Sequence, residues 1–496
     1  MADIEVRDAL RNTTLHLIFL VFVSTLGPLQ FGYHIAELNA PQNAITCPKK
    51  SPRLVEWLQG SSKSEAAYVP DCIPMSEATF ATISSVFTVG GLIGALCSGP
   101  FSSKRGRLLA MRITALLFLF GSLIETFAGN APAMAFGRFF SGIGAGGSTV
   151  IVPLYISEIA PPDARGFFGV MTQVSINVGI LATQVLGLFL SYGGVWRWIL
   201  GAGALIGVSQ VVGLLAVPES PAWTAAHGDV TRAKRTLQRI RGKDADIQDE
   251  VATWGDDTNG EEQGLLSEPS NSTRVAPVHM GFAEVVRDPL YCPAIVAVVG
   301  VMAVQQFCGI NSIIMYSVSL LADLLPISSA FLTVIISIVN LAMTLACSPL
   351  PDRLGRKTCL LISVIGQGSS SFALALSIVL GYKVLSAISV LFFVAFFAVG
   401  LGPVPFILSS ELVGQEAVGA AQSWCLAAAY VSTFFVAQFF PILNTALNNA
   451  LGGHGWVYFI FAAVAAVSTL FIQWKIPETK GKRDLDEVWG RVRRLD

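Results

Sequence analysis

Gly99-Pro-Phe-Ser-Ser-Lys-Arg-Gly-Arg107 and Ser348-Pro-Leu-Pro-Asp-Arg-Leu-Gly-Arg356 are the two stretches that decide how this chain folds. Each follows one long apolar run and introduces the next, with proline at its second position and Gly-Arg at its end. They read as one short loop written twice. Two further markers repeat in step. Ser157-Glu158 with Arg165-Gly166 returns as Ser410-Glu411 with Val418-Gly419, and Pro218-Glu-Ser-Pro221 returns as Pro477-Glu-Thr-Lys480. Each second copy lies about 250 residues after the first, which is the mark of a parallel internal repeat.

Outward from these loops, apolar runs long enough to cross about 30 Å of hydrocarbon as helix lie near 15–36, 78–99, 108–128, 133–154, 167–190 and 195–217. They resume near 290–320, 326–350, 358–380, 383–409, 420–442 and 455–476, giving twelve in two sets of six. The expectation is an all-α membrane protein of two six-helix halves. Composition agrees, with 53% hydrophobic and 13% charged residues against about 25% charged in soluble domains. A net charge of -1 without a basic stripe argues against nucleic acid as a partner. The lipid bilayer is the expected environment.

Lys104, Arg105, Arg107, Arg165, Arg353, Arg356 and Lys357 sit in short loops that the positive-inside rule assigns to the cytosol, together with both termini. The charges of the first external loop do not overturn this, because long loops translocate regardless of charge. The expected division is a cytosolic segment 1–14, a six-helix bundle 15–217, a cytosolic linker 218–288, a second bundle 289–476 and a cytosolic tail 477–496. Asp3, Glu5 and Asp8, with no small-residue cleavage site beyond, make the first apolar run a retained helix rather than a signal peptide.

The linker opens with a basic helical stretch, Arg232 to Arg241, and continues as a polar Gly- and Glu-rich run. Glu261-Glu-Gln-Gly-Leu265-Leu266 within it has the form of an acidic dileucine sorting signal. The plasma membrane is the favoured residence, with a vacuolar or endosomal membrane as the alternative. Cys47 and Cys72 both fall in the polar segment after the first span, and could pair if that segment faces an oxidising space.

Buried amides are expensive in hydrocarbon unless they meet partners or a cavity. Gln173 and Gln184 share a helix face, Gln305, Gln306 and Asn311 flank Gly309, where a broken helix would free backbone groups, and Asn340 adds another amide. Neutral amides with aromatic faces suit a polyhydroxylated ring. No cofactor or metal cluster and no nucleophile–base pair emerges, which argues against an enzyme.

Leu29-Gln-Phe-Gly-Tyr33, Asn39-Ala-Pro-Gln42, Gly137-Arg-Phe-Phe-Ser-Gly-Ile-Gly-Ala-Gly146, Gln305-Gln-Phe-Cys-Gly-Ile-Asn311 and Gly402-Pro-Val-Pro405, taken with the repeated loops, resemble the sugar porter family of the major facilitator superfamily over nearly the whole chain. The resemblance implies transport of a hexose-like sugar by alternating access, with Gln173, Gln305, Gln306, Asn311 and Asn340 contacting sugar and Tyr316 in an outer gate. Gly402, Pro403 and Pro405 would bend the tenth span, and Glu158, Arg165, Asp352, Arg353, Arg356 and Glu411 would form cytosolic latches.

Phe406 stands where the family has tryptophan beside the sugar, and Ala429-Tyr430 where it has Asn-Trp. Ala222, Val418 and Ser103 thin the cytosolic charge network. His34 stands where proton-coupled members carry aspartate paired to the arginine matching Arg138, and where facilitative members carry asparagine. An imidazole held neutral by burial would act as the asparagine does, so the sequence favours facilitated transport over proton coupling. A non-transporting sugar sensor of the same fold is a further alternative, disfavoured by the short tails.

Overall fold

The computed structural model describes residues 13–47, 70–242, 245–252, 254, 282, 284–321, 329–413, 417–482 and 485–489. The dileucine stretch lies outside them. Among the described residues, twelve spans are long and apolar enough to cross a membrane. In the first half these are α1 (Leu15–Ala36), α2 (Glu77–Arg105), α3 (Arg107–Phe127), α4 (Ala131–Ile159), α5 (Arg165–Leu190) and α6 (Arg197–Gly213). Two shorter helices follow, α7 (Pro221–Ala226) and α8 (Val230–Arg241).

In the second half the seventh span is broken into α9 (Cys292–Phe307) and α10 (Ile310–Leu321), and α11 (Ser329–Cys347) and α12 (Arg356–Val379) follow it. The tenth span is also broken, into α13 (Lys383–Val399) and α14 (Val404–Glu411). Then come α15 (Val418–Leu451) and α16 (Val457–Lys475).

Local chemistry sets these boundaries. The side chains of Thr14, Ser76 and Asn130 accept the first free amides of α1, α2 and α4, satisfying donors that a helix start leaves open. Gly106 and Gly355 turn the chain between spans at φ +97° and +98°, a conformation that favours glycine. Gly309 does the same at the expected break of the seventh span, with φ +97°. Within the first bundle, Cβ atoms on Gly90, Gly94, Gly142 or Gly146 would collide with backbone of the facing helix, so small residues let α2 and α4 pack backbone to backbone.

The halves meet asymmetrically along the membrane normal. Asn39, just beyond α1, donates through Nδ2 to Ile314 O at 2.9 Å and Ser317 Oγ at 2.9 Å, and its Oδ1 accepts from Val318 N at 3.1 Å. Ser85 donates to Gln438 at 2.8 Å and Thr445 to Glu77 at 3.2 Å. Asn177 bridges to Thr344 at 2.8 Å, and Thr149 lies 3.4 Å from Tyr430, nearer mid-span. At the ends that carry the repeated loops the described ion pairs join residues of the same half. Hydrogen bonds between the halves thus gather toward the ends of the spans away from those loops. Cys47 and Cys72 form a disulfide with Cα atoms 5.4 Å apart. Beside it, the Asp71 carbonyl accepts from Trp196 Nε1 at 2.7 Å.

Candidate functional site

The candidate sugar-facing amides line up around the break at Gly309. Gln305 donates to Leu401 O at 2.5 Å and to Gly402 O at 3.3 Å, carbonyls freed where the tenth span is interrupted. Gln306 donates to Gln305 Oε1 at 2.7 Å, and Asn311 donates to Gln306 Oε1 at 2.6 Å and to Thr433 Oγ1 at 3.1 Å. These amides form one directional chain whose donors are engaged by neighbours. Asn340 is buried in α11, and Gln173 lies 3.4 Å from Asn177 in α5. Tyr316 donates to Ala437 O at 2.7 Å and stacks on Phe440, which pins α10 to α15. Phe406 is largely exposed, unlike the amides. Tyr430 crowds Gly91 on the opposing half, so its ring fills the seam between α15 and α2.

The ion pairs proposed as latches recur in both halves with matching donors and acceptors. Arg107 holds Glu158 through Nε and Nη2 at 3.1 and 2.8 Å and donates through Nη1 to Ser102 O at 3.0 Å. Arg356 holds Glu411 at 3.1 and 2.8 Å and donates to Pro351 O at 3.1 Å. Glu219 accepts the backbone amides of Arg107 and Leu108, and Glu478 those of Arg356 and Lys357. Asp352 adds a bond to Arg356 at 3.0 Å. Arg165 is exposed and makes no ion pair among the described residues, and the Arg353 carbonyl accepts from Lys480. Arg107, Glu219 and Glu478 were absent from the sequence-derived set, although all three lie inside the repeated stretches.

The structure surrounds Arg138 with acid. Its Nη1 donates to Glu37 Oε1 at 2.6 Å and His34 O at 2.6 Å and lies 4.0 Å from Glu125 Oε2, while its guanidinium rests 4.5 Å over the Phe87 ring. His34 Nδ1 is 2.9 Å from Glu37 Oε1, and its ring stacks on Phe118. Ser141 donates to Glu125 at 2.7 Å. His34, Glu37, Glu125 and Arg138 are all essentially fully buried. Glu37 and Glu125 escaped the sequence reading, although a carboxylate inside an apolar span is itself a functional signal.

Ligand atoms of His34, Glu37 and Glu125 lie within 4.8 Å of one another. A metal there would have to displace the guanidinium that Glu37 already holds at 2.6 Å.

With this geometry in place, likeness to known proteins can be set beside it. The profile described as sugar (and other) transporter matches residues 20–489. This chain is a member of that family. A probable metabolite transport protein of Saccharomyces cerevisiae is 35% identical over 476 residues, covering 96% of this chain and 95% of the relative. Facilitated glucose transporter member 3 of Rattus norvegicus is 30% identical over 486 residues, covering 95% and 92%. In fold, the chain matches the xylose transporter XylE of E. coli, in its partially occluded inward-open form, with TM-score 0.73 at 24% identity, over 95% of this chain and all of that one. The protein is an integral multi-pass membrane transporter of the sugar porter kind, not an enzyme.

Proposed function

We propose that this transporter moves a hexose-like sugar by alternating access and couples the movement to a proton held in the cluster around Arg138. Gln173, Gln305, Gln306, Asn311 and Asn340 are the proposed sugar contacts, with Phe406 at the cytosolic edge of the site. Support comes from the chain of amides at the two broken spans. Sugar hydroxyls both donate and accept, so they can replace each link of that chain without leaving a buried amide unpaired. Tyr316, Gly402, Pro403 and Pro405 are the proposed moving parts. Glu158, Arg165, Asp352, Arg353, Arg356 and Glu411, with Arg107, are the proposed cytosolic locks.

Sequence alone favours facilitated transport, because His34 replaces the aspartate. The observation that moves the reading to coupling is the contact of Glu37 with both Arg138 and His34. Ser122 Oγ lies 2.8 Å from Phe118 O and 3.2 Å from His34 Nε2, so the imidazole is flanked by a hydroxyl on one nitrogen and a carboxylate on the other. His34 Nδ1 faces a Glu37 carboxylate oxygen at 2.9 Å, so a proton can pass between the two groups. Charge balance asks for one, because two buried carboxylates against one guanidinium leave an uncompensated negative charge, which is costly in a dry interior.

Sugar added to proteoliposomes should move protons inward with it, and an inward proton gradient of one pH unit should support about tenfold accumulation at one proton per sugar. Glu37→Gln should abolish accumulation while leaving sugar exchange. Sugar transport without proton movement in the wild type refutes coupling and leaves the facilitated reading. The Cys47–Cys72 disulfide supports an oxidising compartment opposite the cytosol. On that basis the proposed residence is the plasma membrane, which imaging of a tagged chain tests.

A further inference from the structure

Outside the transport pathway, a cavity of about 430 Å³ opens where α3 meets the cytosolic helices α7 and α8, lined in part by Leu108, Leu109, Arg112, Trp223, His227 and Arg232. Its position is set from both sides. Leu109, Ile113 and Leu116, at helical spacing on α3, are exposed toward lipid, as are Val212 and Leu215 at the end of α6. Below them α8 is fixed to the first bundle. Thr14 donates to Ile240 O at 2.6 Å, and Arg241 donates to Ile159 O at 2.6 Å and Ala160 O at 3.0 Å. The cavity therefore sits at the depth where acyl chains give way to headgroups on the cytosolic face.

Its charge is equally directed. Helix α8 buries Ala233, Leu237 and Ile240 against the protein and exposes Arg232, Lys234, Arg235 and Arg239, with no acidic residue from Val230 to Arg241. Among the described residues, none of these four exposed cations has an ion-pair partner. The two acids in the cavity wall are committed elsewhere: Glu219 accepts the amides of Arg107, Leu108 and Ser220, and Asp229 caps α8 through Arg232 N at 3.0 Å. Arg112 spends Nε and Nη2 on Leu214 O and keeps Nη1 for another acceptor. His227, in the cavity wall, stacks on Trp223 and turns Nδ1 to the Trp223 carbonyl at 2.9 Å.

We propose that this cavity binds the headgroup of an anionic phospholipid of the cytosolic leaflet, its phosphate between Arg112 and Arg232 and an acyl chain along Leu109, Ile113 and Leu116. Clustered cations directly beneath a span attract anionic lipid through the negative potential of that leaflet. The apolar stripe directly above the cations gives lipid an advantage over soluble phosphate.

Native mass spectrometry of the purified full-length transporter, titrated with phosphatidylserine or phosphatidylcholine, tests this. Wild type should retain phosphatidylserine about tenfold more tightly, the scale of one charge-assisted contact. Arg232→Gln, a change at an exposed side chain that leaves the fold intact, should bring that preference near unity. Lys475→Gln, an equal charge change at the cytosolic end of the other half, should leave it in place. Equal loss in both variants would mean diffuse surface attraction and overturn the site. Displacement of the lipid by millimolar inorganic phosphate would make it a free-anion site and overturn the lipid assignment, as would the absence of any preference in wild type.

Discussion

Removing the Asn39 side chain should tip the transporter toward the outward-facing state. Its amide makes three hydrogen bonds from the end of α1 to α10, two donated at 2.9 Å and one accepted at 3.1 Å, and it is buried in the closed external seam. All three must break for the seam to open, after which water takes their place. At roughly 1 kcal/mol net apiece they favour the closed seam by about 3 kcal/mol, or about a hundredfold in population.

Asn39→Ala forfeits that difference without placing a new group in the pathway. Ser84, buried beside Tyr316 beneath this seam, provides the reporter. With Ser84→Cys in a chain whose exposed Cys97 is changed to Ser, an impermeant maleimide added outside should label the Asn39→Ala form many times faster than its parent. Half-saturation for sugar entering from outside should fall and that for sugar leaving should rise. Unchanged labelling in a variant that still exchanges sugar would show that the Asn39 bonds do not govern the external gate.

Asn311→Ala cuts the amide chain between Gln306 and Thr433, and Gln305→Ala frees the carbonyls at the break in the tenth span; each should raise half-saturation for hexose about tenfold or more and lower stability by about 1–3 kcal/mol, because the partners left behind are buried. Normal kinetics in both would remove the sugar site from the seventh span. Arg107→Ala and Arg356→Ala should each lower stability by about 2 kcal/mol, a value below that of a fully buried pair because the side chains keep some solvent contact. Detergent melting curves that shift for one and not the other would refute the equivalence of the two locks.

Twelve spans, two halves and the short loops that repeat between them were legible because their causes are local. A run of apolar residues long enough for the bilayer has one stable form, and Gly106 and Gly355 mark turns that only the neighbouring residues need to specify. The break at Gly309 was legible for the same reason. Partnership across the fold was not. Nothing in the order of residues says that Arg107 reaches Glu158 rather than another acid, or that Glu219 accepts the amides at the start of α3, since both contacts depend on how three helices converge. Glu125 is the instructive omission. It lies inside a span that the hydropathy pattern had already delimited, where an acid has to have a reason to be.

The history of position 34 shows why one residue is a weak guide to mechanism. Read alone, histidine in place of aspartate removes the acid from the arginine and points to uncoupled transport. In the fold, the acid has moved one helical turn along, to Glu37, and the arginine meets it there, with the imidazole becoming the partner on the other side of the same carboxylate oxygen. A second acid arrives from α3 and is held by Ser141 of α4. The quantity that decides coupling is then the charge balance of a sealed volume rather than the identity of any residue in it. Arg138 compensates one of the two carboxylates, so on the proposed reading the closed cluster holds one proton more than a neutral imidazole, two carboxylates and a guanidinium carry. A single residue, Leu38, separates Glu37 from Asn39, which clasps α10, so loss of that proton would act on the segment of chain that holds this seam shut.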